Sequence, residues 1–226
     1  MGIISLEKIN HLYWLGRYTE RVFTTIKSFE GYYDRMIDQD ETAYQDFCRR
    51  LNIPDIYGSK EAFVEEYVYD EKNPDSLYSN LARAFDNAVI LREEISSEVL
   101  AYIQMSLDLL KSHGHKQAAL LDLQEIVDYL FAFWGSVDDC VENEDCRNIM
   151  KCGKYVERLD LYMRLSYDYR RIEKEFSKFL NRLHRIQIWY STENLGKLTE
   201  ILNKKERWTE DYYDALNALG GIIEVI

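Results

Sequence analysis

Residues 5–37 read SLEKINHLYWLGRYTERVFTTIKSFEGYYDRMI, and this stretch decides the fold class. Its large apolar side chains recur at helical intervals, at Leu15, Tyr18, Val22, Phe29, Tyr32 and Met36. That spacing places them along one side of an α-helix with 3.6 residues per turn. No proline interrupts the stretch, and Ser5 is a suitable N-cap. The pattern predicts one long amphipathic helix over about residues 5–37.

The rest of the chain shows the same helical period. We expect middle helices over about residues 76–111 and 117–141, and a second long helix over about residues 146–188. Only 2 prolines and 10 glycines occur among 226 residues, which favours long uninterrupted helices. Alternation typical of strands does not extend over any convincing length. The sequence therefore predicts an all-α fold, a single bundle of long antiparallel helices forming one domain over residues 1–226.

Charge and hydropathy argue against two classes of partner. The formal net charge is −12, and no block of Lys or Arg stands out, whereas nucleic-acid binding depends on such residues to neutralise phosphates. No segment approaches the roughly 18 apolar residues expected of a membrane span. The first residues also lack the basic and apolar regions of a signal peptide. We therefore expect a cytoplasmic protein that binds neither nucleic acid nor membrane.

A short motif occurs twice in the chain. Residues 15–21 read LGRYTER, and residues 152–158, at an offset of 137, read CGKYVER. Both copies lie inside predicted long helices, so the sequence predicts two pseudo-repeated motif helices. Glycine inside a helix costs about 1 kcal/mol relative to alanine. Its presence in both copies indicates that the two helix backbones approach each other closely.

The motif also predicts a pair of ionic contacts. In the helical projection Glu20 lies on the same narrow face as Gly16, so its carboxylate is expected to be partly buried. A buried carboxylate needs a cation or several hydrogen-bond donors, and the arginine of the other copy is the natural partner. We therefore predict two crossed pairs, Glu20 with Arg158 and Glu157 with Arg21.

These segments together resemble the alpha-E family of bacterial helical proteins. The resemblance rests on residues 12–21, 153–158, 73–77 (NPDSL) and 91–98 (LREEISSE), with Arg83 and Asn87. The second motif has Lys154 where the family usually has arginine. The activity of the family is not established. Its members are encoded beside, or fused to, atypical ATP-grasp proteins and transglutaminase-like proteins, so the resemblance implies a role in peptide ligation or modification with such a partner.

Ten polar residues make up the candidate site: Arg17, Glu20, Arg21, Arg83, Asn87, Arg92, Glu98, Lys154, Glu157 and Arg158. One interpretation is a buried ion network that fixes the register of the bundle. The other is a ligand site in which arginine side chains hold a carboxylate, a phosphate or a peptide terminus. A sealed, fully paired cluster would favour the first interpretation, and an open pocket would favour the second.

The leading hypothesis for function is a non-catalytic binding or accessory module. One alternative is an enzyme of the same pathway that uses Glu20 or Glu157 as general acid or base, which requires an exposed carboxylate with a shifted pKa. Another is a purely structural interaction protein. We expect no metal, because the Glu-x-x-His pairs of di-metal bundles are absent, and no cofactor, because no P-loop or dinucleotide fingerprint appears. The sequence identifies no catalytic residue and does not indicate the oligomeric state.

Overall fold

A computed structural model describes residues 4–112 and 119–224. Within these residues the chain is helical and contains no strand, which confirms the all-α prediction. The helices are α1 Leu6–Asp38, α2 Ala43–Leu51, α3 Lys60–Glu66, α4 Leu77–Ile90, α5 Arg92–Ile95, α6 Ser97–Ser112, α7 Ala119–Cys140, α8 Glu144–Arg164, α9 Tyr169–Leu183, α10 Thr192–Leu202 and α11 Tyr212–Gly220, with a 3₁₀ helix Lys205–Asp211 before α11. No helix in these two ranges is both long and apolar enough to cross a membrane.

Helix α1 is the helix predicted from residues 5–37. Ser5 caps it, since its Oγ accepts a hydrogen bond from the Lys8 amide at 3.3 Å. Of the six predicted apolar side chains, Leu15, Val22 and Phe29 are fully buried and Met36 is nearly so. The other two, Tyr18 and Tyr32, are partly buried and pack against the core. The amphipathic spacing therefore locates the buried face of α1 correctly.

The bundle is built around α1. This helix packs along α8 and α4, while α6 packs against α7 and α4, and α9 packs against α8. At its C-terminal half, α1 meets an aromatic cluster in which Phe29 contacts Phe47, Phe63 and Tyr67. The last two helices pack on each other, and α11 also contacts α8. The two motif helices, α1 and α8, are therefore neighbours in the core.

The prediction of one uninterrupted helix over residues 76–111 is wrong. The segment forms α4, the short α5 and α6, and it bends at Ser96, whose φ is +69°. A positive φ is incompatible with a continuing right-handed helix. The apolar pattern does not reveal this bend, because Leu91, Ile95 and Val99 are fully buried on both sides of it.

The helix predicted over residues 146–188 is also interrupted. Helix α8 ends at Arg164, Ser166 has a φ of +56°, and Asp168 caps α9 by accepting a hydrogen bond from the Arg171 amide at 3.1 Å. The segment therefore turns and α9 packs back on α8. The helix predicted over 117–141 corresponds to α7, and residues 117 and 118 lie outside the described residues.

Candidate functional site

The two motif glycines are the points where α1 and α8 come closest. A Cβ atom on Gly16 would lie 2.9 Å from the carbonyl carbon of Met150 and closer still to its oxygen. A Cβ atom on Gly153 would meet the carbonyl group of Tyr13 in the same way. Tyr13 and Met150 are themselves related by the offset of 137. The predicted close approach is confirmed, and it has approximate two-fold symmetry.

Glu20 of α1 pairs with Arg158 of α8. The Arg158 guanidinium donates to both carboxylate oxygens, from Nε to Oε1 at 2.6 Å and from Nη2 to Oε2 at 2.8 Å. The Thr24 hydroxyl donates to the same Oε1 at 2.7 Å. The Glu20 side chain is 0% exposed, so this bidentate pair is formed without access to solvent at the carboxylate.

Glu157 of α8 has two arginine partners on α1. Arg21 Nε donates to Oε1 at 2.5 Å, and Arg17 Nε donates to Oε2 at 2.7 Å. The Glu157 side chain is also 0% exposed. Burial alone would raise the pKa of Glu157, but the charges and hydrogen bonds of Arg17 and Arg21 outweigh burial and hold the pKa below its ordinary value. Both predicted crossed pairs are present.

The two halves of the site differ at the position of Arg17 and its counterpart Lys154. The Lys154 ammonium lies 3.9 Å from the centre of the Trp134 ring on α7, in a cation–π contact. Burial lowers the pKa of Lys154 to about 8, although the charge of Glu20 acts in the opposite direction. Glu157 is thus held by two arginines, whereas Glu20 is held by one arginine and a hydroxyl.

The lowered pKa of Lys154 predicts a pH-dependent stability. Between pH 8 and 10 the unfolded chain keeps the proton on this lysine while the folded chain loses it, so the free energy of unfolding must rise with pH. We expect the stability of the wild type, measured by urea denaturation relative to Lys154→Met, to rise between pH 7.5 and 9.5. Arginine does not titrate in this range, so the stability of the wild type relative to Lys154→Arg should rise with the same slope from a different starting value. A difference in stability that does not change with pH for either variant would contradict the lowered pKa of Lys154.

The other four candidate residues lie apart from the Glu–Arg pairs. Arg83 Nη1 donates to the Pro74 carbonyl at 2.7 Å. Asn87 lies 2.7 Å from His11 Nδ1 and donates to the Arg83 carbonyl, so both residues tie α4 to its surroundings. Arg92 and Glu98 are exposed, and within the described residues no hydrogen bond or ion pair joins them to the paired glutamates. The structure therefore gathers six of the ten residues: Arg17, Glu20, Arg21, Lys154, Glu157 and Arg158.

A cavity of about 190 Å³ opens beside the pair of Arg21 and Glu157. Arg21 of α1 forms part of its wall, together with Asp160 and Arg164 at the end of α8 and with Asp75 and Asn80 at the start of α4. Sequence reasoning did not select Asp160 or Arg164. The signal available was their helical spacing, since residues 157, 160 and 164 are three and four positions apart and share one side of α8. We call this space the Arg21 cavity.

The Arg21 cavity contains side chains suited to ligand binding rather than to holding a metal. Asp160 is paired with Arg164, whose Nε donates a hydrogen bond to its carboxylate at 2.7 Å. Across residues 4–112 and 119–224, no group of three or more His, Cys, Asp or Glu side chains is placed to hold a metal ion. The chemistry available at the cavity is therefore charge-assisted hydrogen bonding.

Comparison with known proteins gives one informative match. No curated protein and no solved structure matches the chain. The family model Alpha-E, described as "a predicted alpha-helical domain with a conserved ER motif", matches residues 8–188. This range contains both copies of the Glu–Arg motif and the helices that bring them together. The chain therefore belongs to the Alpha-E family.

Proposed function

We propose that this protein is a binding module that holds a carboxylate group of a small ligand in the Arg21 cavity. In this proposal the buried Glu–Arg pairs are the structural part of the site. They join α1 to α8 and fix the position of Arg21. The observation that carries the proposal is that Arg21 belongs both to the ion pair with the buried Glu157 and to the wall of the cavity.

The two arginines of the cavity have donors left for a ligand. Within the described part of the chain, Arg21 bonds Glu157 through Nε, and Arg164 bonds Asp160 through Nε. Their Nη1 and Nη2 groups therefore supply the forked donors that match a carboxylate. The Arg21 side chain is 30% exposed, whereas its partner Glu157 is 0% exposed. The arginine, and not the glutamate, is the group that a ligand can reach.

The same geometry gives no support to Glu20 or Glu157 as general acid or base. Both carboxylates are closed off from solvent and bonded to arginine. A general acid or base must reach the proton that it transfers and works best with a pKa near the operating pH. The pKa of Glu157 is instead lowered.

The proposal predicts a specific effect of Arg164→Gln. Isocaproate is a suitable probe, because it carries a carboxylate and an aliphatic chain. Removal of one charged donor is expected to weaken its binding about tenfold or more. Isothermal titration of the wild type, Arg164→Gln and the control Arg170→Gln, an exposed arginine of α9, measures this change. Equal affinity in all three proteins, or no binding to the wild type, would overturn the proposal.

The family resemblance extends the proposal to a partner. We propose that the module delivers or senses a substrate for an ATP-grasp-type ligase or a transglutaminase-like protein in peptide ligation or modification. This step is supported by the resemblance alone. Affinity capture from the lysate of the native host, read by mass spectrometry, tests it. Near-stoichiometric recovery of either class would support the partnership, and recovery of neither class would count against it.

A further inference from the structure

The Arg21 cavity carries both signs of charge. Arg21 and Arg164 form part of its wall, and so do the acidic residues Asp75 and Asp160. A ligand that is only anionic would gain from the arginines but would be repelled by these carboxylates. Asp160 is paired with Arg164, whereas Asp75 has no ion-pair partner among the residues that the structure describes and lies in the wall of the cavity.

Asp75 is held firmly at the start of α4. Its backbone amide donates to Asn73 Oδ1 at 2.9 Å, and its carbonyl accepts a hydrogen bond from the Tyr67 hydroxyl at 3.2 Å. Tyr67 is buried and also lines the cavity. The backbone on both sides of the Asp75 side chain is therefore held in place.

Asn80 gives independent evidence for a ligand, because its side-chain oxygen lacks a hydrogen-bond donor in the described chain. Its side chain is 2% exposed, and its Nδ2 donates to the Ser76 carbonyl at 2.8 Å. Its Oδ1 is buried and has no hydrogen-bond partner among the residues that the structure describes. A buried acceptor without a partner is costly. Because Asn80 lines the Arg21 cavity, a ligand that brings an N–H donor to this wall would satisfy it.

The rest of the wall is partly aliphatic, and the space is small. Leu51, Ile53, Leu77 and Leu161 line the cavity, as do the polar residues Thr25 and Asn52. The volume of about 190 Å³ is below the roughly 300–1,000 Å³ typical of sites for drug-sized ligands. The space therefore suits a single small unit with an apolar side chain and not a nucleotide or a long peptide.

We infer that the ligand of the Arg21 cavity is a free α-amino acid with an aliphatic side chain, bound as its zwitterion. Its carboxylate lies against Arg21 and Arg164, its ammonium against Asp75 and Asn80 Oδ1, and its side chain against the leucines. This inference rests on the proposed carboxylate site and adds the recognition of the ammonium group.

A matched set of ligands tests the inference separately from the proposed function. Leucine carries both charged groups, isocaproate is leucine without its amino group, and isoamylamine is leucine without its carboxylate. Titration of the whole protein is expected to show leucine binding about tenfold or more tighter than isocaproate, because a charged hydrogen-bonded pair is gained. Isoamylamine is expected to bind most weakly of the three.

Asp75→Asn is the variant that isolates the ammonium site. It should remove the preference for leucine over isocaproate and leave isocaproate binding intact or slightly improved. The control Asp86→Asn makes the same charge change at an exposed position of α4, the helix that begins two residues after Asp75, and should keep the preference. Thermal unfolding of both variants shows whether they remain folded.

The outcomes distinguish the proposed carboxylate site from the inferred amino-acid ligand. Equal binding of leucine and isocaproate to the wild type would overturn the inference and leave the carboxylate site standing. An unchanged preference in folded Asp75→Asn would also overturn the inference. Absence of binding by leucine and isocaproate alike would overturn both claims.

Discussion

Replacement of Glu157 with glutamine is expected to lower the free energy of unfolding by about 3–5 kcal/mol, the usual cost of removing one partner from a buried ion pair. The Glu157 carboxylate is the shared acceptor of Arg17 and Arg21. Glutamine keeps the shape of the side chain, so the loss of stability measures the removal of the negative charge and not the creation of a cavity. It leaves two guanidinium groups, both largely buried, without their counter-charge. Urea denaturation at pH 7, followed by circular dichroism at 222 nm, measures the change.

The control for this measurement is Glu173→Gln. Glu173 lies on the surface of α9, where it accepts a hydrogen bond from the Tyr169 hydroxyl at 3.1 Å. Substitutions of exposed residues usually change the free energy of unfolding by no more than about 0.5 kcal/mol. If Glu157→Gln were as stable as Glu173→Gln, the Glu–Arg pairs would not hold α1 and α8 together.

The difference in stability between the wild type and Glu157→Gln should change with pH in a definite direction. Because the pKa of Glu157 is lowered from its ordinary value of 4.5, its contribution is fully present above about pH 4.5 and is lost as the pH falls through the lowered folded value. The stability gap between the wild type and Glu157→Gln should therefore be constant near neutral pH and shrink in acid. A gap that widened in acid would contradict the assigned direction.

The repeated motif predicts the core of the candidate site because it fixes relationships within a rigid helix. Gly16 marks the backbone contact, and Glu20 and Arg21 follow it by one helical turn. The same intervals occur after Gly153. Once two such helices touch at their glycines, each glutamate is brought to the arginine of the other copy. The crossed pairs therefore follow from helix geometry and from the cost of burying a lone carboxylate.

The helix breaks could not be predicted in the same way. Ser96 and Ser166 both adopt positive φ, a conformation that serine rarely takes. Neither position is marked by glycine or proline. Apolar spacing continues across both turns, because the chain returns to the same core after each one. Only tertiary packing determines that α4 and α6, or α8 and α9, are separate helices.

The Arg21 cavity depends on tertiary packing for a similar reason. Asp75 and Asn80 come from the start of α4, Arg21 from the middle of α1 and Arg164 from the last turn of α8. No sequence interval links these positions. The repeat likewise identifies Lys154 as the counterpart of Arg17, but it does not reveal Trp134 on α7, which redirects the ammonium group.

Gly16→Ala is expected to destabilise the protein by about 3 kcal/mol or more, at or beyond the upper end of the usual cost of overpacking. The new methyl group would overlap the Met150 carbonyl, which is held in the backbone of α8 and cannot rotate away as a side chain can. Helices α1 and α8 must therefore separate. Their separation would also lengthen the Glu20–Arg158 pair, which lies one turn further along α1.

Gly31→Ala in the same helix should have the opposite effect. A Cβ atom at Gly31 meets no atom within 4 Å, so the substitution adds helix propensity without a clash and is expected to stabilise by about 0.5–1 kcal/mol. The same denaturation experiment on both variants therefore separates helix propensity from helix–helix contact. If Gly16→Ala were as stable as Gly31→Ala, α1 and α8 would not meet at the motif glycines. A loss confined to Gly16→Ala would show that the glycine of the motif is required for the contact that aligns each glutamate with its arginine.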